Sequence, residues 1–334
     1  MTIGEQAGVA TPGLRLRHYA GREDLPAIVA IEKAENLADS FDMIPTVDQL
    51  TIQFATPDGF DPGQDVVLAE LDGEPVAFGM VRFRARDDER SFELHGCVRP
   101  DVRRRGIGRA LLHRNEARAR ERAASMPAGR PIRFSTWAVD SAVGHHVLLE
   151  SEGFRPVRYF FEMVKRDLDS PPPRPLPDGL ELRPVTMATV RQAFDAENEA
   201  FRDHWGHHEF TAEEFNEVIS DPDLLLHLWR VAWDGDEVAG VVAVGVYTEE
   251  NRVLGLSRGW LDRISVRRPW RHRGLASALI LSACAGLREH GLAEAALGVD
   301  AENPHGALGL YESLGFAQVQ RATTRRKPLE PGED

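Results

Sequence analysis

Two runs of basic residues and glycines are spaced so that each could hold an anion on bare backbone. The first reads Val98-Arg-Pro-Asp-Val-Arg103-Arg104-Arg105-Gly106-Ile-Gly108; the second, 168 residues later, reads Val266-Arg-Arg-Pro-Trp-Arg271-His272-Arg273-Gly274-Leu-Ala276. Each stands between a stretch with strand character and a helix-forming stretch. A turn in that position ends on the unpaired first N–H groups of a helix, where the amides and the positive helix end attract phosphate. Gly106, Gly108 and Gly274 let the backbone approach a pyrophosphate without a Cβ in the way. One such turn says little, since a tight strand-to-helix turn with a solvated basic rim reads the same. Two in register, each followed by matching elements, say much more.

The elements that must position these turns also repeat. Leu14-Arg-Leu-Arg and Leu180-Glu-Leu-Arg are short alternating strands that open each half. Val66-Val-Leu-Ala-Glu and Leu228-Trp-Arg-Val-Ala-Trp each run into an Asp-Gly turn, Asp72-Gly73 and Asp234-Gly235, and an apolar strand follows, as in a hairpin. After each glycine turn the pattern predicts a helix, near 107–124 and 275–290, with Gly291 as a stop for the second. A strand and helix then close each half: Phe134-Ser-Thr-Trp with Gly144 to Phe154, and Leu297-Gly-Val-Asp with Gly306 to Phe316. The chain is therefore a duplicated α+β unit. Five prolines within Asp167 to Pro177 predict an extended connector. The expected organisation is a disordered 1–13, a domain over 14–166, a linker over 167–179 and a domain over 180–328.

Length and composition narrow the function. At 334 residues the chain suits two domains of about 150 residues each. A net charge of −13 argues against nucleic acid as a partner, because phosphate backbones demand a clustered basic face. The longest apolar stretch, around Val238 to Val246, is far short of a membrane span. Met1-Thr-Ile-Gly-Glu-Gln carries no basic segment leading into an apolar one, so the expected location is the cytoplasm. Cys97 and Cys284 fall in different halves and suggest neither a disulfide nor a metal pair. His204, His207 and His208 lack the i, i+4 pairing with a nearby Glu of helical zinc peptidases, so no metal is expected.

The Arg-x-x-Gly-x-Gly/Ala loops at Arg103–Gly108 and Arg271–Ala276, with the distal Asn303-Pro-His-Gly-Ala-Leu-Gly-Leu-Tyr311-x-x-x-Gly-Phe316, resemble the GNAT superfamily of acyl-CoA-dependent N-acyltransferases. The resemblance covers essentially both halves and implies a tandem GNAT architecture, as in mycothiol-synthase-like proteins. Its implied fold is α+β: two tandem domains, each a mixed, mostly antiparallel sheet flanked by helices and splayed where the cofactor lies.

The resemblance further implies acetyl-CoA as cosubstrate, its pyrophosphate on the amides of Arg271, His272, Arg273, Gly274 and Ala276. Arg267, Arg268 and Arg273 are near enough in sequence to meet phosphate charge. The strand before the loop, Ile264 to Val266, would offer an amide to the thioester carbonyl. Tyr311 stands where the family often places the acid for the departing thiolate, and Asn303 is a cap or a cofactor contact. Tyr311 could equally be an amphipathic residue packed on the last helix. Asp262, four residues before Val266, is a candidate base or one half of an ion pair with a nearby Arg. His204, Trp205 and His207 would wall a pocket for a small amine.

In the first half the loop survives as Val98, Arg103, Arg104, Arg105, Gly106 and Gly108, so acyl-CoA could still bind. Leu149 replaces Tyr311, Ser141 replaces Asn303, and Leu94 aligns with Asp262. The expected function is acetyl transfer from acetyl-CoA to a primary amine by direct attack in a ternary complex, centred in the second half. The alternatives are a non-catalytic acyl-CoA sensor or scaffold, and catalysis by the first half through Glu93 or His95.

Overall fold

The computed structural model describes residues 11–55, 59–85, 90–202, 211–221, 224–303 and 306–330. In the first half of the sequence the elements are β1 (Leu14–His18), α1 (Leu25–Ala38), α2 (Val47–Ala55), α3 (Pro62–Asp65), β2 (Val66–Leu71), β3 (Glu74–Ala85), β4 (Arg90–Val98), α4 (Ile107–Ala124), β5 (Ile132–Val139), α5 (Val143–Ser151) and β6 (Arg155–Lys165). The second half gives β7 (Glu181–Arg183), α6 (Val190–Phe201), α7 (Ala212–Ile219), β8 (Arg230–Asp234), β9 (Glu237–Gly245), α8 (Thr248–Leu254), β10 (Arg258–Val266), α9 (Leu275–Glu289), β11 (Glu294–Asp300), α10 (Ala307–Ser313) and β12 (Ala317–Pro328). The order of strands and principal helices repeats as the sequence predicts, while α3 before β2 and α8 between β9 and β10 have no counterpart among the described residues of the other half. Residues 167–179 hold no helix or strand.

The fold divides into two compact units, Met1–Val157 with Thr323–Asp334, and Arg158–Ala322. This division falls elsewhere than the proline-rich connector. Strand β6, encoded before the connector, lies in the second unit and pairs antiparallel with β11, from Lys165 opposite Ala295 to Phe160 opposite Asp300. Conversely, the end of the chain lies in the first unit. There the Leu329 N–H donates to the Ile132 carbonyl, and Lys327 reaches Glu116 at 2.7 Å. Alternation tells a strand which face is apolar but not which neighbour it joins. Here side chains make that choice: Arg158 grips Asp300 in the second unit, and Arg325 grips Glu150 in the first.

In the first unit the strands run β1-β2-β3-β4-β5 and then β12; in the second they run β6-β11-β10-β9-β8-β7. The β1 to β4 and β7 to β10 neighbours are antiparallel, while β4 with β5 and β10 with β11 are parallel. Helices cover both faces, so central strands are apolar throughout instead of alternating. Val66, Leu68 and Phe78 pack towards α1, while Val67, Ala77 and Val76 pack with Ile107 and Leu111 of α4. In β9 every residue from Val238 to Val244 is buried.

The hairpin turns differ in one respect. Asp72 and Gly73 both have positive φ, 52° and 89°, which matches the twist of the flanking strands. In the second half the two turn residues are Gly235 and Asp236, because Asp234 still pairs with Glu237, and only Gly235 has positive φ.

Candidate active site

Strands β10 and β11 pair only where they begin, at Arg258–Glu294, Gly259–Ala295 and Trp260–Ala296. Beyond Trp260, β10 stays paired with β9 as far as Val266 and turns its other edge to a cleft of about 320 Å³. Ile264, Ser265 and Val266 line that cleft with Arg271, His272, Gly274, Ala276, Asn303 and Tyr311. The splay leaves backbone N–H groups of a central strand without a strand partner, and buried amides need one. An incoming carbonyl fits that need.

The basic turn has the backbone form of an anion site. His272 and Gly274 take positive φ, 60° and 84°, and Gly274 caps α9 with no side-chain hydrogen bond at the cap. Alternating backbone hands turn successive N–H groups inward, and the 15-residue helix adds its positive end. A Cβ on Gly274 would meet nothing within 4 Å, so the space over the amides is open to a ligand. Two of the arginines do other work. Arg271 donates to the carbonyls of Val266 and Ala200, tying the turn to β10 and α6. Arg267, expected near phosphate, is held by Glu199 at 2.8 Å and by the Val238 carbonyl. Arg273 is exposed and makes no ion pair among the described residues.

Asp262 owes its place to a β-bulge. Leu261 pairs with Val244 and Arg263 with Ala243, so Asp262 is an extra residue with no partner on β9. A bulge of this kind re-aims a side chain out of the pleat. Gly245 makes the room: a Cβ there would overlap the Asp262 carboxylate and stand 3.3 Å from the Tyr247 hydroxyl. That hydroxyl donates to Asp262 Oδ1 at 3.1 Å. Protein crowds the carboxyl while solvent still reaches it, and this crowding lifts its pKa to about 7. Arg263 and the Tyr247 hydrogen bond pull it down, and Asp221 and Glu197 push it up. Next to it, Arg263 makes an ion pair with Glu197 at 2.8 Å. Arg263 is thus ion-paired with Glu197 while its charge also acts on Asp262.

Tyr311 sits on α10, 7% exposed, with its ring against Phe316. Among the described residues its hydroxyl makes no hydrogen bond, and burial raises its pKa to about 12. Asn303 lines the cleft, and the N-cap of α10 is Gly306 at φ 70°. His204, Trp205 and His207 lie outside the described residues.

Residues 190–316 match the Acetyltransferase (GNAT) family model, and residues 62–156 match an Acetyltransferase (GNAT) domain model. The mycothiol acetyltransferase of Clavibacter michiganensis is 30% identical over 278 residues, covering 81% of this chain and 82% of that one. The mycothiol acetyltransferase of Geodermatophilus obscurus is 29% identical over 296 residues, covering 87% and 90%. The chain belongs to the GNAT acetyltransferase family. Among solved structures, a GCN5-related N-acetyltransferase from Sphaerobacter thermophilus superposes with a TM-score of 0.74 at 28% identity, covering 97% of this chain and 98% of that one. A tandem GNAT protein from the clavulanic acid biosynthesis pathway shares the fold, with a TM-score of 0.68 at 16% identity over 96% and 100%. As a GNAT acetyltransferase, the protein takes acetyl-CoA as cosubstrate. Among the described residues no helix is long and apolar enough to cross a membrane.

The first GNAT unit keeps the frame and changes the chemistry. Strands β4 and β5 also pair only at their start, from Arg90–Ile132 to Glu93–Ser135, and Arg104 and Gly106 repeat the positive φ of the second turn. Its cleft, about 360 Å³, is lined by Val98, Arg103, Arg104, Gly106 and Gly108. Yet Glu35 of α1 reaches into it and accepts the Val98 N–H at 2.6 Å. Arg103 is committed to Asp39 by two bonds of 2.7 Å and lies 3.2 Å from Glu35. Leu149 is buried where the second unit has Tyr311.

The strand register corrects one expected match. β3 and β4 pair without a bulge, and Val81–Leu94 corresponds to Val244–Leu261. Asp262 is therefore an insertion with no first-unit counterpart, and Leu94 matches Leu261. Sequence reading missed Tyr247 and Gly245, although a glycine and a tyrosine closing an apolar run were visible. It also missed Glu35, because a lone acid on a helix gives no signal until the helix is docked.

Proposed function

We propose that the protein acetylates a primary amine of a small molecule, by direct attack within a ternary complex, at the cleft of the second unit. The β-bulge that turns Asp262 toward Tyr247, on the strand whose Ile264 to Val266 line this cleft, carries the reading, since the first unit has the same frame without that carboxylate. The acetyl-CoA pyrophosphate lies on the amides from Arg271 to Ala276, and the thioester carbonyl on the open edge of β10 near Val266. With a pKa near 7, Asp262 takes a proton from the incoming ammonium and passes it to water. The free amine attacks the carbonyl carbon, and strand amides hold the oxyanion. The C–S bond then breaks, sulfur takes the proton of Tyr311, and the phenolate recovers the proton shed by nitrogen.

The same comparison argues against catalysis by the first unit. Its Val98 amide is taken by Glu35, and Leu149 has no proton to give. The relatives' name directs the acceptor search to an amine of the mycothiol class. The test is release of free CoA thiol from acetyl-CoA with a panel of small amines, precursors of mycothiol first. Asp262→Asn is expected to lower kcat/KM by about 100- to 10,000-fold with acetyl-CoA affinity unchanged. Full activity in that variant would remove Asp262 as the base. Acetyl-CoA binding without turnover on any amine would favour a sensor or scaffold.

A further inference from the structure

The duplication supplies an internal control for a buried acid. In the second unit Glu197 of α6 faces β10 and is neutralised by Arg263, with Ser265 two residues further along the strand. Strand register equates Arg263 with His95 and Ser265 with Cys97, since Ala243–Arg263 corresponds to Met80–His95. The acid is kept as well: Glu32 of α1 faces His95. The first unit has thus lost a permanent cation beside a buried carboxylate and gained an imidazole and a thiol.

The three side chains converge. Cys97 Sγ lies 3.5 Å from His95 Nε2, and Glu32 Oε1 lies 3.7 Å from that same nitrogen. All three ligand atoms fall within 4.8 Å of one another. A nucleophile–base–acid relay would use both ring nitrogens of the histidine, one for each partner. Here sulfur and oxygen meet a single nitrogen, which is the arrangement of ligands around a point. With zinc bonds of about 2.3 Å to sulfur and 2.0–2.1 Å to nitrogen, the S–N edge of a tetrahedron is about 3.6 Å and the O–N edge about 3.4 Å. The observed separations lie close to those edges.

We propose that Glu32, His95 and Cys97 bind one divalent transition-metal ion of the zinc class, between α1 and β4. His95 lines the first cleft, which gives the ion an entry path and leaves a fourth position for water. The ion supplies the positive charge that Arg263 supplies in the second unit. Uptake displaces the Cys97 thiol proton, which burial and the nearby Glu35 hold on the sulfur, so binding strengthens as pH rises. The ligands are separated by 63 and 2 residues, a spacing that announces no metal motif.

The full chain, reduced and stripped with a chelator, is titrated with Co²⁺ and then with Zn²⁺. One equivalent of Co²⁺ with tetrahedral-type visible absorption and a near-ultraviolet thiolate charge-transfer band is expected, and Zn²⁺ should erase both. The chain has two cysteines, so Cys97→Ser must abolish the band and Cys284→Ser must keep it. Glu32→Gln and His95→Gln should each weaken binding by about tenfold or more. A cooperative thermal melt and circular dichroism spectrum like those of the wild-type chain establish that each variant is folded. Cobalt bound without thiolate absorption in the wild-type chain, or a band that survives Cys97→Ser, overturns the proposal.

Discussion

Asp262 and Tyr247 act as a pair whose geometry sets the proton affinity of the carboxyl. Because the phenol donates to Asp262 and helps lower its pKa, Tyr247→Phe should move the acidic limb of kcat/KM against pH upward from about 7. A merely structural tyrosine would reduce activity evenly without moving that limb. Tyr311→Phe should lower kcat by about 10- to 100-fold with little change in acetyl-CoA affinity, because in the proposed mechanism the phenol acts on the proton transfers of thiolate departure and not on cosubstrate binding. Its pKa near 12 keeps it protonated across the working range, so no alkaline limb should come from Tyr311 below that value. Stability carries the opposite signature. The raised pKa of Asp262 means that the folded state binds more protons than the unfolded chain between about pH 4 and 7. Stability contributed by this group therefore falls as pH rises through that window. Asp262→Asn should raise Tm more at pH 8 than at pH 4, read by thermal melts.

At the scale of elements, the proposed function rests on a strand that leaves its parallel neighbour and a turn that caps the next helix. Titration of acetyl-CoA into Gly274→Glu should show loss of the second-unit site, because the new carboxylate stands over the phosphate amides in a backbone conformation that favours glycine. Gly106→Glu should remove only whatever binding the first cleft retains. A protein whose binding survives Gly274→Glu would place the cosubstrate elsewhere. Much of this scale was legible. The helices over 107–124 and near 275–290, the hairpins and both glycine turns follow from periodicity and turn chemistry, which act locally. The bulge was not legible, because it depends on how two strands pair across a register, and Leu261-Asp262-Arg263 carries no local sign of an insertion.

Each unit is completed by a strand from the other half of the sequence, so neither half is a self-sufficient folding unit. Arg258, 4% exposed in its side chain, bridges Glu162 of β6 and Glu294 of β11 within the second unit. Arg258→Ala leaves two half-buried carboxylates facing each other and should cost about 3 to 5 kcal/mol, measured by denaturant unfolding. Deleting residues 323–330 should abolish cooperative unfolding of the first unit, since it strips the amide and carbonyl partners of Ile132 and Arg120 along with Lys327. A first unit that melts normally without that segment would contradict this account.

The sequence by itself determined the duplication, the α+β class and the two glycine turns, and it singled out Tyr311 and Asp262 as candidates, since each is written in local periodicity or in a short motif. Tertiary structure decided the rest. It chose which terminal strand completes which unit, placed Asp262 on a bulge beside Tyr247, spent Arg271 and Arg267 on holding the turn, and brought Glu35 onto the Val98 amide. These depend on contacts between residues tens to more than a hundred positions apart. Such contacts are selected by packing and charge compensation in the assembled fold, and no single stretch of chain encodes them.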